Sequence, residues 1–416
     1  MKAKHLIIFI TISFFLSLNA HAQFKSNPFS RDKKNIFNLA LYKQPGKDSM
    51  VDVIDGIYRI FKVDKQRSQT ETLTRPKFTF VPGVEYSLAT KFATNLKGSL
   101  LIPSKGLFSK TSTVSSEFKY TQNKQVITRV NSNLWINKDE YNINTSWSYM
   151  KYPQQDFGLG MNSKIDRFDN IDYSYFKMHQ SIGKKIAKNI YFGPGLNIDL
   201  HWNILDSTTL NKPTVGFEQY GYVKKSNSVG ILLNLLYDSR TSIVSPKAKT
   251  AFLNIIFRDN LTFLGSDRNW QTLTIDARKY VSFPKNSKNI LAFWSYNVLS
   301  IQGKAPYLDL ATTAGDPYGN TGRGYIQGRF RGDKYISAET EYRFGITENG
   351  SLGGVIFANM QTASQQIGKP IEGIKTGFGG GIRIKLNKHS HTNIALDYGI
   401  GQDGSKGIFM NLGEVF

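Results

Sequence analysis

From residue 76 onward, apolar and polar residues alternate in stretches of about 9 to 15 residues that are separated by turn-forming residues. A period of two is typical of strands that have one face in an apolar environment, and regular turns between such stretches indicate an all-β chain. The pattern predicts an even set of sixteen strands. They span residues 77–86, 89–102, 111–122, 125–137, 140–152, 171–184, 189–202, 227–239, 249–259, 269–283, 289–302, 334–346, 351–362, 374–387, 392–401 and 406–416.

The connections between these strands alternate between mostly short and mostly long. The long ones cover residues 153–170, 203–226, 260–268, 303–333 and 363–373. Transmembrane barrels have short periplasmic turns and longer outer loops, and only every second residue of a strand has to face lipid. The sequence therefore predicts a 16-stranded antiparallel transmembrane β-barrel over residues 76–416.

The late strands have the clearest faces. Gly377, Gly379 and Gly381 fall at alternate positions and leave one face of their strand without side chains. Such a row usually marks the close approach of another backbone. Relaxation of the barrel curvature is the other interpretation.

The two ends of the chain fit an exported membrane protein. Residues 1–22 combine two early lysines, an apolar core of about 13 residues and a small-residue cleavage pattern, so we expect a removed signal peptide. Residues 23–75 predict one or two short helices that either plug the barrel or lie in the periplasm. The alternating stretch 406–416 ends on Phe416, which predicts the strand that closes a bacterial outer-membrane barrel against residues 77–86.

Composition narrows the function classes. Lys and Arg together exceed Asp and Glu by 22, but the positive residues are scattered along the chain. This favours a basic lumen and rims that face anionic lipid head groups over nucleic-acid binding. The chain contains no Cys, so we expect neither disulfides, zinc–cysteine sites nor a lipoprotein anchor.

Candidate chemistry is sparse. No Gly-x-Ser-x-Gly elbow is present, His201 fits an interface histidine better than a partner of a catalytic serine, and His389 and His391 lack an evident third metal ligand. We therefore expect no enzymatic activity, no cofactor and no metal. The tripeptide 331–333 spells a cell-adhesion motif, although a loop that simply continues toward the next strand is favoured.

The longest connection, residues 303–333, contains the run Gly322-Arg323-Gly324-Tyr325. A loop of this length is expected to be functional or disordered. Two glycines beside Arg323 allow the backbone to bend closely around its guanidinium. This pattern suggests an arginine that is held by carboxylates.

With this loop, the chain from about residue 76 to residue 416 resembles the BamA/TamA superfamily, the bacterial surface-antigen barrels of outer-membrane assembly and secretion. The run 322–325 is similar to the family's Arg-Gly-aromatic loop tip. The turn that begins at Asp238-Ser239-Arg240 resembles another family motif, although Lys249 or a neighbour stands where a glycine is usual.

The resemblance implies that the loop after strand eleven folds back into the lumen, where Arg323 meets acidic groups of late strands. Asp397 is the first candidate partner, with Glu341 or Glu339 as alternatives. The segment between Ala22 and Pro76 is too short for even one of the periplasmic POTRA modules of the family.

Two functions follow from the resemblance. One is an assembly or translocation barrel in the bacterial outer membrane, with a lateral seam between its first and last strands and a loop held by Arg323. The other is a passive pore or structural barrel. The expected partners are outer-membrane lipid with its anionic head groups, the barrel-assembly machinery for its own insertion, and a client protein or lipid that the sequence does not identify.

Overall fold

The computed structural model describes residues 76–102, 110–206, 216–221, 223–240, 242–243, 245–364, 370–371, 373–387 and 392–416. The predicted signal peptide, the segment 23–75 and the pair His389 and His391 lie outside these ranges. Within them, no helix is long and apolar enough to cross a membrane.

Sixteen antiparallel strands form a nearly closed barrel, which confirms the predicted fold class and strand number. In chain order they are β1 (Lys77–Ser87), β2 (Lys91–Ile102), β3 (Ser112–Thr121), β4 (Val126–Ile136), β5 (Tyr141–Lys151), β6 (Asp169–Ala187), β7 (Ile190–Asp206), β8 (Lys225–Asp238), β9 (Thr250–Asn260), β10 (Trp270–Ser282), β11 (Ile290–Gly303), β12 (Lys334–Gly345), β13 (Leu352–Ala363), β14 (Lys375–Asn387), β15 (Thr392–Gly401) and β16 (Lys406–Leu412).

Each strand pairs with the next one along the chain, from β1 to β16. Strands β1 and β16 lie next to each other, but the described residues form no backbone pairing between them. This is where the barrel has its seam. One end of the barrel carries the connection from β11 to β12 and is called the long-loop end; the opposite end is called the short-turn end.

The alternation of side chains sorts residues into an outer and an inner face. On β14, Phe378 is 60% exposed and Ile382 is 44% exposed, whereas the next residue, Arg383, is buried inside the barrel. The three glycines alternate with these outward residues, so their row lies on the inner face with Arg383. The inner face of the late strands therefore has room for another segment of the chain.

Strand β16 ends at Leu412, so the prediction of a strand that runs to residue 416 is wrong. Gly413 adopts a φ of 91°, a conformation that glycine tolerates and that turns the chain away from the wall. The next residues enter the barrel, where Val415 is 3% and Phe416 is 2% exposed. The ring of Phe416 stacks on Trp294 of β11 at 5.1 Å, so it is an interior residue instead of the outward end of a closing strand. Residues Gly413–Phe416 are called the tail.

Two connections from the long-loop end also fold into the barrel. Residues 304–333, here the inner loop, follow β11 as predicted. Residues 152–168, here the second loop, belong to the connection 153–170, which was predicted only as one of the long outer loops. They contain a short strand, Gln154–Asp156, that pairs with β6, and they bury Phe157 and Met161. A short helix, α1 (Phe217–Gly221), packs against the inner loop through the rings of Phe217 and Tyr307.

Candidate functional site

The inner loop is built as a narrow hairpin with a bent tip. At its base Ala311–Thr312 pairs with Arg331–Gly332, and a single 3₁₀ turn covers Tyr307–Asp309. At its tip Gly322 and Gly324 adopt φ values of 74° and 105°, which places Arg323 between two left-handed residues. These conformations favour glycine, so the sequence itself specifies the bend.

Arg323 meets side chains from the middle of β12 and β15 and is 1% exposed. Its Nε donates to Glu339 Oε1 at 3.1 Å, and its Nη1 donates to Asp397 Oδ2 at 2.5 Å. Its Nη2 donates to both Glu339 and Glu341. The guanidinium carbon also lies 3.6 Å from the ring centroid of Phe357. The structure thus brings Arg323 together with all three carboxylates that the family resemblance suggested as alternatives.

Two further arginines complete the charge cluster. Arg343 Nε donates to Glu341 Oε1 at 2.6 Å, and Arg383 Nη1 donates to Asp397 Oδ1 at 2.5 Å. Charge-assisted bonds of this kind offset the cost of removing charges from water. The site is therefore a continuous ionic network, which the sequence indicated only for Arg323.

The glycine row on β14 accommodates this network. A Cβ atom at Gly377 would lie 2.9 Å from the carbonyl oxygen of Arg323, and one at Gly379 would lie 2.5 Å from the Phe357 ring. Gly381 lies directly against the carboxylate of Asp397. The chain that approaches Gly377 is the loop tip, and the other two glycines make room for the side chains around it.

Sequence reasoning did not identify the residues that hold the loop tip from β15. Gly399 packs against Gly324, and Gly401 packs against the ring of Tyr325. Tyr325 is 1% exposed, donates to the carbonyl of Thr376 at 2.6 Å and accepts from the backbone of Gln402 at 2.8 Å. The signal that could have identified β15 is the same one as on β14, two glycines at alternate positions.

A second polar contact anchors the base of the inner loop. Ser228 of β8 donates to Asp309 Oδ2 at 2.6 Å, and His201 Nδ1 lies 3.8 Å from Asp309 Oδ1. Burial and the nearby Asp199 carboxylate raise the pKa of Asp309 to about 7, although Arg258 opposes the rise. His201 is thus a buried residue that helps to hold Asp309 and the base of the inner loop inside the barrel.

The second loop holds the inner loop from the other side. Tyr307 donates its hydroxyl to Asp156 Oδ2 at 2.6 Å, and Arg331 Nε lies 3.5 Å from Asp156 Oδ1. Arg329 donates to the carbonyl of Ser163 at 2.6 Å. Arg331 and Asp333 are both almost fully buried, so the tripeptide 331–333 is not displayed as an adhesion motif would be.

The turn after β8 contains an ion pair between two residues of its motif. Arg240 donates through Nε and Nη2 to the two carboxylate oxygens of Asp238, each at 3.0 Å. Lys249 adopts a φ of 64°, so it occupies a conformation that usually requires glycine. A lysine at this position therefore costs some backbone strain that a glycine would avoid.

The fold and this site define a class: transmembrane β-barrels of sixteen strands with a long loop folded into the lumen. Solved structures to which this chain is similar are BamA from Haemophilus ducreyi lacking POTRA domains 1-3, CdiB from Acinetobacter baumannii and CdiB from Escherichia coli. Against BamA the TM-score is 0.53 with 11% sequence identity, over 82% of this chain and 70% of that chain.

For the CdiB of A. baumannii the TM-score is 0.52 with 10% identity, over 82% of this chain and 60% of that chain. For the CdiB of E. coli the TM-score is 0.55 with 9% identity, over 80% of this chain and 62% of that chain. The chain therefore spans less than two thirds of either CdiB. No protein-family model matches the sequence, and no curated protein matches it. At these identities the likeness establishes the barrel fold, and the chain has the fold of BamA and CdiB.

Proposed function

We propose that this protein is a bacterial outer-membrane barrel of the BamA/TamA type that assists the assembly or translocation of other molecules. The observation that carries the proposal is the guanidinium of Arg323, which meets Glu339, Glu341 and Asp397 inside the barrel. A loop tip held this firmly in the lumen reduces free passage through the barrel. If the lumen is blocked, another molecule would have to pass through the wall instead. The seam between β1 and β16 is the part of the wall that lacks backbone pairing among the described residues.

The orientation follows from the same proposal. The short-turn end faces the periplasm, and the long-loop end faces the cell exterior, as in other barrels of the outer membrane. The protein reaches the membrane by export and is inserted by the barrel-assembly machinery. It acts without a cofactor and without enzymatic chemistry.

A passive pore or structural barrel is the second candidate, and a specific observation favours it. The inner face of β2–β4 carries charged side chains that stay partly exposed, with Lys97 at 31% and Arg129 at 30%. Both lie 3.4 Å from Glu117. Charged side chains in contact with water are typical of an aqueous path, so half of the lumen could conduct ions while the other half holds the loops.

Two measurements on reconstituted protein separate these functions. In planar bilayers, the assembly function predicts little current from the intact barrel and large currents after deletion of residues 304–333. In vesicles, it predicts that the intact protein accelerates the insertion of a urea-unfolded eight-stranded barrel. Large, steady and ion-selective currents from the intact protein, without any effect on insertion, would instead establish the pore.

A further inference from the structure

The short-turn end of the barrel contains a cavity that neither function uses. It lies between the turn after β8, the turn between β10 and β11, the turn between β12 and β13, and the tail. Its polar lining includes Lys288, Asn289, Arg343, Lys385 and Glu414. The polar part of the lining is thus mainly cationic and amide.

Arg343 has an unused donor group at this cavity. Its Nε bonds Glu341, and its Nη2 donates to the main-chain oxygen of Phe416 at 2.8 Å. Its Nη1 has no hydrogen-bond partner among the described residues, although the side chain is only 9% exposed. A buried donor without a partner is costly, and a guanidinium has the geometry to bind a phosphate or carboxylate.

The neighbouring Arg383 has no such vacancy, because Asp397 and Glu414 occupy its guanidinium. Among the described residues that line the cavity, Lys288, Arg343, Arg383 and Lys385 are cationic, whereas Glu414 is the one carboxylate. The lining therefore carries a surplus of positive charge, which a bound anion would reduce.

The rim of the cavity is apolar on its outward side. Phe344 and Leu352 line the rim, and both lie on the outward face of their strands. On that face of β13, Leu352 is 38% exposed and Ile356, four residues further along, is 58% exposed. A cavity that joins cations on the inside to an apolar surface on the outside suits an amphiphile. Basic pockets of this kind at membrane surfaces bind lipid head groups.

We propose that this cavity binds a singly charged phosphodiester, with Arg343, Lys385 and Lys288 around the phosphate. The apolar rim favours an anionic phospholipid of the leaflet at the short-turn end as its source. Its acyl chains would then lie along Phe344 and Leu352. This inference goes beyond the assembly function and holds for a passive barrel as well.

Binding of short-chain phosphatidylglycerol to the full chain in a neutral detergent tests the proposal, with phosphatidylcholine of the same chain length for comparison. We expect phosphatidylglycerol to bind more tightly than phosphatidylcholine. The double variant Lys288→Ala/Lys385→Ala should weaken its binding about tenfold, as expected when two charge contacts are lost. This variant leaves the buried arginine network intact, so its barrel should still fold.

The matched control is Lys138→Ala/Lys188→Ala, which removes two exposed lysines from other turns at the same end of the barrel. Binding should be unchanged in this control. Equal weakening in both double variants, or equal binding of the two lipids, would overturn the proposal. A competition experiment with inorganic phosphate distinguishes the two sources of the phosphate group. If inorganic phosphate displaces the lipid at a comparable concentration, the cavity binds anions, but its ligand is a soluble phosphate instead of a lipid.

Discussion

Arg323 gathers three carboxylates and a phenyl ring around one guanidinium in the middle of the barrel. Because the side chain is 1% exposed, water does not screen these charges. Without the Arg323 guanidinium, the three buried carboxylates would have Arg343 and Arg383 as their remaining cationic partners among the described residues. An uncompensated buried charge costs far more than a lost surface pair.

We predict that Arg323→Ala lowers the free energy of unfolding by about 3 kcal/mol or more, the range typical of breaking a buried pair. Urea unfolding in detergent micelles, followed by tryptophan fluorescence, measures this loss. Lys375→Ala is the control, since it breaks the more exposed pair with Asp403 at 2.6 Å and should cost less than about 1 kcal/mol. Equal losses in the two variants would show that the network does not stabilise the barrel.

Single residues also show where sequence reasoning succeeds and where it stops. Arg323 could be singled out because the flanking Gly322 and Gly324 are needed locally for the bend. Phe416 was misplaced because alternation shows which face a residue takes only while the strand continues. Gly413 was the local signal that it does not continue, and the pocket formed with Trp294 depends on a strand more than a hundred residues away.

At the scale of elements, the inner loop is held between the barrel wall and the second loop. Asp156 joins the two loops, because it accepts from Tyr307 and faces Arg331. The strands were predictable, since alternation and turns are local properties, and most observed boundaries fall within two residues of the predicted ones. The inward course of the second loop was not predictable, because its apolar residues pack against elements that are distant in sequence.

We predict that Asp156→Ala loosens the inner loop by about 2 kcal/mol, the value typical of hydrogen bonds to a charged group. Limited trypsin digestion of the folded barrel should then cleave within residues 304–333 much faster than in the unmodified protein. Asp166→Ala, which removes an exposed carboxylate of the same second loop, should leave the cleavage rate unchanged. If both variants are cleaved at the original rate, the second loop does not hold the inner loop.

For the molecule as a whole, Asp309 makes the interior sensitive to pH. Its pKa is raised to about 7 by burial first and by Asp199 second, from an ordinary value of 3.8. The folded state therefore binds a proton more tightly than the unfolded state does. The docked loop gains stability at acid pH and loses it as the pH rises through the range between these two values.

We predict that the inner loop opens about tenfold or more often at pH 8.5 than at pH 5.5, since one pKa unit corresponds to a factor of ten. The chain has no Cys, so one cysteine introduced into the inner loop reports opening through its labelling rate. Asp309→Asn provides the reference at each pH, because its side chain stays neutral while Ser228, His201 and Arg258 remain in place. A labelling ratio that does not change with pH would contradict the prediction.

The two loops inside the barrel also determine the order in which it can fold. Each wall strand pairs with the next strand along the chain. The contacts that hold the two loops join residues much farther apart in sequence: Tyr152 and Gln327 are 175 residues apart, and Met161 and Ala363 are 202 apart. Closing such long segments costs more conformational entropy than forming a hairpin, and non-local contacts form slowly. We therefore expect the hairpins of the wall to form before the two loops settle between them. Until Arg323 reaches them, Glu339, Glu341 and Asp397 would then be exposed to water.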